Sequence, residues 1–221
     1  MLAASWIPSW LVDPMTALLT WFLQVSGNYG IAIILLTIVV RILILPLTIY
    51  QTKSMKRMQE VQPRMKELQT KYKDNPEKLN QEMMTLYKTE GVNPFAGCLP
   101  MLVQLPILWG LFEVFRLFDP VALGYTYQFL WADLSQKDIP LAIMTVVSMF
   151  AQSYLSGMTN DPNQKMMTWL LPIMFGWIAF TMPQSGIILY WVVSTVFGLI
   201  QQAIYPGFPR LKGVSGAKGE A

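Results

Sequence analysis

The sequence predicts an all-α polytopic membrane protein. Five transmembrane helices run N-terminus out and C-terminus in, with a cytoplasmic helical hairpin between the first and second and an amphipathic helix on the outer interface. Three observations lead there. Hydrophobic residues make up 53% of the 221-residue chain and charged residues only 13%, with eight Trp, a composition suited to lipid. Five apolar runs are each long enough to cross a bilayer. The basic residues gather in segments that alternate with those runs.

The apolar runs lie near residues 30–50, 95–115, 139–157, 166–182 and 187–205, each supplying most of the roughly 20 residues needed to cross about 30 Å of hydrocarbon. The last two are separated only by Pro183, Gln184, Ser185 and Gly186, the length of an αα-hairpin turn. Lys53, Lys56, Arg57, Arg64, Lys66, Lys71, Lys73, Lys78 and Lys88 lie between the first two runs, Lys165 between the third and fourth, and Arg210, Lys212 and Lys218 in the tail. By the positive-inside rule these segments are cytoplasmic. The opposite side holds residues 1–29 without Lys or Arg, and the loop 117–138 with Lys137 alone, bordered by Arg116. The chain therefore divides into an outer segment 1–29, a first span 30–50, a cytoplasmic hairpin 51–92, spans two to five within 93–205 and a cytoplasmic tail 206–221.

The N-terminal MLAASWIPSWLVDP lacks the basic flank and apolar core of a secretory signal, so a signal was removed or never present. In VDPMTALLTWFLQVSGN, Asp13 suits a cap, Pro14 a first helical position, and Met15, Leu18, Leu19, Phe22 and Val25 one apolar stripe. That pattern predicts a helix lying on the outer surface or packed on the bundle. Between the first two spans, Met55, Met58, Val61, Met65, Leu68 and Tyr72 recur at coiled-coil spacing, and Leu79, Met83 and Leu86 follow a break at Asp74-Asn75-Pro76-Glu77. Asn75 serves as cap and Pro76 opens the second helix. The result is an antiparallel hairpin with a narrow, Met-rich seam.

The chemistry concentrates at TIVVRILILPLT, residues 37–48, because Arg41 stands within an apolar helix. It lies about nine residues, or roughly 13 Å, from the cytoplasmic end of the span. That is too deep for its side chain to snorkel out, and the placement costs about 3 kcal/mol or more. Glu113 is the only acid within a span, but it lies roughly 12 Å higher and has Arg116 three residues away as a nearer partner. A buried Arg41–Glu113 pair would need strongly tilted helices, and water is the better compensator. Arg41 is expected to line a hydrated recess open to the cytoplasm, walled by Thr37, Gln104, Gln152, Ser153, Ser194, Thr195, Gln201 and Gln202. Singly, each of these is as well explained by a helix–helix hydrogen bond; together they make a polar wall. Pro46, Pro100, Pro106 and Pro172 each free a carbonyl one turn earlier, tolerated where neighbours or water satisfy it.

Arg41 with the following LILPL, the run NPFAGCLPMLVQLPILWGLF and the run GIILYWVVSTVFGLIQQ together resemble the YidC/Oxa1/Alb3 family of membrane protein insertases, from about residue 15 to 205. The resemblance is to the shorter, Gram-positive-like form, since no large soluble domain precedes the core. It implies a monomeric insertase of the bacterial plasma membrane, whose five-helix core encloses a hydrophilic groove open to cytoplasm and lipid and closed to the outside. The family's basic groove residue falls on Arg41, and its groove and client-contact positions fall on Thr37, Gln152 and Trp191. Nascent membrane proteins are the implied clients. The ribosome, the signal recognition pathway and the Sec translocon are further candidate partners, although the tail carries few cations for ribosome contact. The Met seam then has a second reading as a client-binding surface.

Other chemistries fit less well. There is no His, and the single Cys98 lies in an apolar run, so neither a Cys/His metal site nor a disulfide framework can be built. No cofactor motif or catalytic constellation occurs. No GxxxxGK[ST] loop is present, which leaves nucleotide hydrolysis without a site. An intramembrane protease would need a His to activate a serine or a pair of acids within the spans. A small-anion transporter or channel using Arg41 as the anion site is the alternative, against which stand the odd span count and the lack of an inverted repeat.

The charge distribution fixes a testable topology. Single cysteines replacing Lys71 and Lys212 are expected to react with an impermeant thiol reagent from the cytoplasmic side only, and one replacing Gln128 from outside only. Labelling of position 71 from outside contradicts the scheme.

Overall fold

The computed structural model describes residues 8–92, 99–155, 162–182 and 184–204. The tail 206–221 with its three cations, Cys98 and the start of the second-span motif at residues 93–98 lie outside the described residues, as does Pro183. Among the described residues seven α-helices follow in order: α1 (Ser9–Ser26), α2 (Tyr29–Lys71), α3 (Pro76–Thr89), α4 (Leu99–Leu117), α5 (Ile139–Leu155), α6 (Pro162–Thr181) and α7 (Ser185–Ile204). A two-stranded ribbon, β1 (Gln128–Phe129) with β2 (Ala132–Asp133), stands between α4 and α5. The chain forms two compact units, one of Met1–Leu43 with Pro106–Ala221 and one of Ile44–Leu105. Among the described residues, the α2 stretch Tyr29–Met58 and all of α7 are long and apolar enough to cross a membrane. Helix α5, with 17 residues, is at the short end for a span.

In the first unit, α1 begins four residues before the expected cap. Asp13 does not cap it, and Pro14 lies inside the helix. The physical reason is at Pro8, whose carbonyl accepts the N–H of Leu11 at 3.0 Å and of Val12 at 3.4 Å and so nucleates the first turn. Val12, Met15, Leu19, Phe22 and Leu23 are buried in the core of the unit, whereas Val25 of the expected stripe is exposed. The helix is thus packed on the bundle through one face. Trp10, Trp21 and Val25 remain exposed.

The core that α1 covers gathers Tyr29, Ala32, Ile33 and Leu36 of α2, Leu111, Val114 and Phe115 of α4, Leu141 and Ala142 of α5, Ala179 of α6 and the α7 residues Ile187, Ile188, Leu189 and Tyr190. These all belong to the ends of the helices that adjoin the 117–138 loop. That loop is itself part of the closure. The N–H groups that open a helix have no intrahelical partner. At α7 the loop supplies partners: Ser185 N donates to Gln136 O at 3.0 Å, Gly186 N to Leu134 O at 3.2 Å, and Ser185 Oγ to Asp133 O at 3.1 Å. Asn28 Nδ2 donates to Gln128 O at 3.3 Å. The Asp133 carboxyl, accepting from the Ser135 hydroxyl and N–H, is held below the usual carboxylate range, so its contribution to stability is lost as pH falls through that lowered value.

In the second unit, the expected helix end at residue 50 does not exist: α2 continues through it to Lys71, with Pro46 and Pro63 both inside. Residues 47–53 carry no stop signal of the Gly or Asn kind, so the amphipathic pattern changes while the backbone does not. The expected cap does form, with Lys78 N donating to Asn75 Oδ1 at 3.0 Å and Pro76 in the first turn of α3. The chain turns back there, so that Arg64 pairs with Glu90, and Lys78 Nζ lies 5.3 Å from the Tyr72 ring. Val61 is buried, while Met65, Leu68, Tyr72, Leu79, Met83 and Leu86 are only half-buried. Two helices alone cannot enclose a seam. Helix α6 begins at Pro162, which places Lys165 in its first turn rather than in a connection.

The tightest contact of the closed end predicts its own weak point. A Cβ on Gly30 would lie 2.1 Å from Phe129 Cγ, a ring pinned at its base by the ribbon. Gly30→Ala is expected to destabilise the protein by about 1–3 kcal/mol, as overpacking does, read as a lowered unfolding temperature in detergent.

Candidate functional site

Below the closed end, the inward stripes of the helices change character. On α2, Ile33 is followed one turn later by Thr37 and a turn later again by Arg41. Thr37 is buried and donates its hydroxyl to Ile33 O at 2.6 Å. On α5 the stripe runs from Leu141 to Thr145, Ser148 and Gln152; Thr145 and Ser148 are buried, and their hydroxyls bond back to Leu141 O and Thr145 O. On α7, Ile187 to Tyr190 give way to buried Ser194 and Thr195, then to half-buried Gln201 and Gln202. Three helices of one unit thus switch from apolar to polar in the same direction.

Arg41 lies on this polar stretch. It is half-buried, and its Nε is shut from the surface with no hydrogen-bond partner among the described residues; the same holds for Ser194 Oγ. Such groups require polar partners or water. Glu113 is committed elsewhere, accepting from Arg116 Nε at 3.0 Å and Nη2 at 2.7 Å in a bidentate pair on its own helix. Forked pairs of this kind are the stronger ones, so the only acid within α4 has no need of Arg41.

The other expected residues divide. Gln152 of α5 is brought against α7, where a Cβ on Gly198 would lie 2.5 Å from its Nε2; the glycine makes room for the amide. Trp191 is half-buried with its ring edge-on to Phe175 of α6, centroids 4.8 Å apart, and its carbonyl accepts from Thr195 Oγ1 at 2.8 Å. Ser153 is half-buried on α5. Gln104 falls in the second unit and is half-buried there. Sequence reasoning passed over Thr145, Ser148 and Gly198. The first two were visible in principle as continuations of the polar stripe of α5 at three- and four-residue spacing.

Two hollows lie elsewhere. One of about 640 Å³ opens beside α1 and the end of α4, with Asp13, Thr16, Thr20, Phe118 and Asp119 in its lining. It adjoins the closed end, not Arg41. The other, of about 450 Å³, is lined by Gln69, Leu79, Asn80, Met83, Met84 and Tyr87 on the α2–α3 seam. Among the described residues, no group of His, Cys, Asp and Glu side chains is placed to hold a metal ion.

Residues 21–208 match the family described as 60Kd inner membrane protein. A membrane protein insertase YidC of Caldanaerobacter subterraneus subsp. tengcongensis is 42% identical over 181 residues, covering 81% of this chain and 85% of that protein. The YidC of Wolinella succinogenes is also 42% identical over 88% of this chain, but the match spans only 36% of that longer protein. A crystal structure of an active YidC insertase with its first transmembrane domain resolved superposes with a TM-score of 0.70 at 30% identity, over 89% of this chain and 45% of that one.

The Glu113 geometry separates two roles for Arg41. Glu113→Ala is expected to leave the unfolding temperature in detergent nearly unchanged, because its Arg116 partner is 46% exposed and can reach water. Loss of a carboxylate partnered to Arg41 would instead cost about 3–5 kcal/mol. In the same vein, Arg41→Cys is expected to react with a water-soluble thiol reagent from the cytoplasmic side only.

Proposed function

The chain belongs to the 60Kd inner membrane protein family of YidC insertases, and from that membership we propose that it inserts client membrane proteins and assists their folding through a hydrated, positively charged groove. The observation that carries the proposal is the common switch from apolar to polar on α2, α5 and α7, with Arg41 at the switch. In this reading α2, α4, α5, α6 and α7 are the five spans, residues 51–92 are cytoplasmic and the tail 206–221 is cytoplasmic. The closed end faces outward, and α1 lies at the outer interface. Arg41, Thr37, Gln152, Trp191 and Ser194, all of the first unit, form the client-facing wall.

The chemistry asked of such a wall is solvation rather than bond making. A client's polar outer tail must leave water, and each backbone group left unsatisfied in hydrocarbon costs several kcal/mol. Hydroxyls, amides and a fixed cation with their water lower that cost over part of the membrane depth. Acidic tails gain most, since the guanidinium never loses its charge. The client's apolar helix then slides into lipid, where burial of roughly 20 apolar residues drives the step without nucleotide. The half-buried Met seam of α2 and α3 is suited to first contact with such a segment, because methionine side chains adapt to many shapes. Membrane lipids and nascent chains are the partners this reading requires, with a single copy sufficient. Ribosome, signal recognition pathway and Sec translocon are additional partners to test. The alternative of a small-anion channel has no support among the relatives.

The test is insertion of a single-span client into liposomes containing only this protein. Insertion above that of empty liposomes is expected, and its absence, or a specific anion conductance in its place, overturns the proposal. Within that assay Arg41→Lys is expected to keep much of the activity. Arg41→Ala is expected to slow clients with acidic tails about tenfold, the equivalent of roughly 1.4 kcal/mol, and neutral-tailed clients less.

A further inference from the structure

The ribbon between α4 and α5 ends in a two-residue turn, Leu130 and Trp131, whose geometry is at odds with its chemistry. Leu130 has φ +53° and is the only non-glycine residue with positive φ among those described. Tight hairpin turns of this kind favour Gly, Asn or Asp, and a bulky side chain there is a strained choice. Strain is retained where something else requires the side chain. Nothing among the described residues does so, since Leu130 is 71% and Trp131 56% exposed. The neighbouring ribbon residues Phe129 and Ala132 turn inward to Gly30 and the core, so the two tip residues are the ones left pointing away.

The tip's surroundings say what meets it. The ribbon is tied to Asn28 at the start of α2 and to Ser185 and Gly186 at the start of α7, the two helices that have the length and hydropathy of spans among the described residues. At that same level, exposed apolar surface begins, with Ile31 of α2 and Ile139 at the start of α5 both exposed. A turn fixed to those helix ends stands where hydrocarbon begins. Trp is the side chain most suited to that boundary, with an apolar body and one N–H for the headgroups. We propose that Leu130 and Trp131 form a lipid anchor, inserted between the headgroups and upper acyl chains of the outer leaflet, that holds the closing loop against the membrane. The inference rests on the membrane placement of α2 and α7 and is independent of insertase activity.

The experiment uses the full chain in phosphatidylcholine/phosphatidylglycerol vesicles, with Cys98→Ser and single cysteines carrying a polarity-sensitive fluorophore at Leu130→Cys, Leu43→Cys or Lys137→Cys. Leu43, exposed on α2, reports on the span, and Lys137, exposed on the same loop, reports on water. The label at 130 is expected to emit to the blue of that at 137, to resist iodide severalfold better, and to be quenched most by a nitroxide in the upper acyl chain. The label at 43 is expected to be quenched most by a deep nitroxide. Iodide access at 130 equal to that at 137 overturns the anchor. So does a blue shift at 130 that lipid nitroxides do not quench and that grows with protein-to-lipid ratio, which assigns the tip to a second copy. Failure of lipid quenching at 43 as well removes the membrane placement and the anchor with it. Leu130→Gly, relieved of the φ penalty, is expected to unfold no earlier than the parent while Trp131→Cys in that background loses its lipid quenching; retained quenching there shows that Leu130 is not needed for the anchor and overturns its assigned role.

Discussion

A cation that cannot be neutralised, set in an apolar helix without a carboxylate, is the constraint on which the rest of this structure depends. Arg41 cannot shed its charge, and the one acid that might have paired with it is bound bidentately to Arg116. What is left is solvation by uncharged groups and water. Thr37, Thr145, Ser148, Gln152, Ser194 and Thr195 are such groups, and they lie on the inward stripes of α2, α5 and α7 rather than scattered over the helices. A polar interior of this kind is tolerable only if it is not continuous through the protein. The compact apolar core at the other end of the same helices, from Tyr29 to Leu36 on α2 and from Ile187 to Val192 on α7, meets that condition.

The closed end has its own requirement, because helix termini brought into an apolar region carry unsatisfied backbone groups. The 117–138 loop meets it by offering the carbonyls of Asp133, Leu134 and Gln136 to Ser185 and Gly186. Phe129 fills the space over Gly30, and the Tyr29 ring stacks on Phe118 at 5.7 Å and meets Tyr127 edge-on at 5.5 Å. The loop is therefore a structural part of the bundle. Its ordering follows from what it satisfies.

This explains what was legible in the sequence and what was not. Helices α4, α5, α6 and α7 fall on the last four apolar runs to within a few residues, and α2 begins one residue before the first, because long apolar stretches are written in composition alone. The Asn75 cap and the Glu113–Arg116 pair were equally readable, since both are set by spacing along one helix. The ribbon was not, because residues 128–133 owe their register to partners at Asn28 and Ser185, far away in sequence. The continuity of α2 past residue 50 was hidden because the apolar run ends there and charged residues follow, a change of composition that the helical backbone does not share. At the candidate site, Thr37 and Arg41 followed from four-residue spacing. The approach of Gln152 to Gly198 depends on how α7 is rotated, which no pattern in its own sequence fixes.

The two halves of the bundle together set the size of the barrier a client would meet. From Tyr29 to Thr37 is about 12 Å along α2, and from Ser185 to Ser194 about 13 Å along α7. The apolar seal is thus less than half of the roughly 30 Å hydrocarbon thickness. A polar tail held in the hydrated part would face only that remaining layer, so the desolvation cost, which scales with the number of groups out of water at once, falls in proportion. The seal in turn gives the process a direction. If it were as polar as the Arg41 region, ions would cross by the same route, and if the polar region were as apolar as the seal, the tail would have no reason to enter. On the proposed insertase reading, the change of character between Leu36 and Thr37, and between Val192 and Ser194, is the feature that would let assisted insertion proceed without leakage.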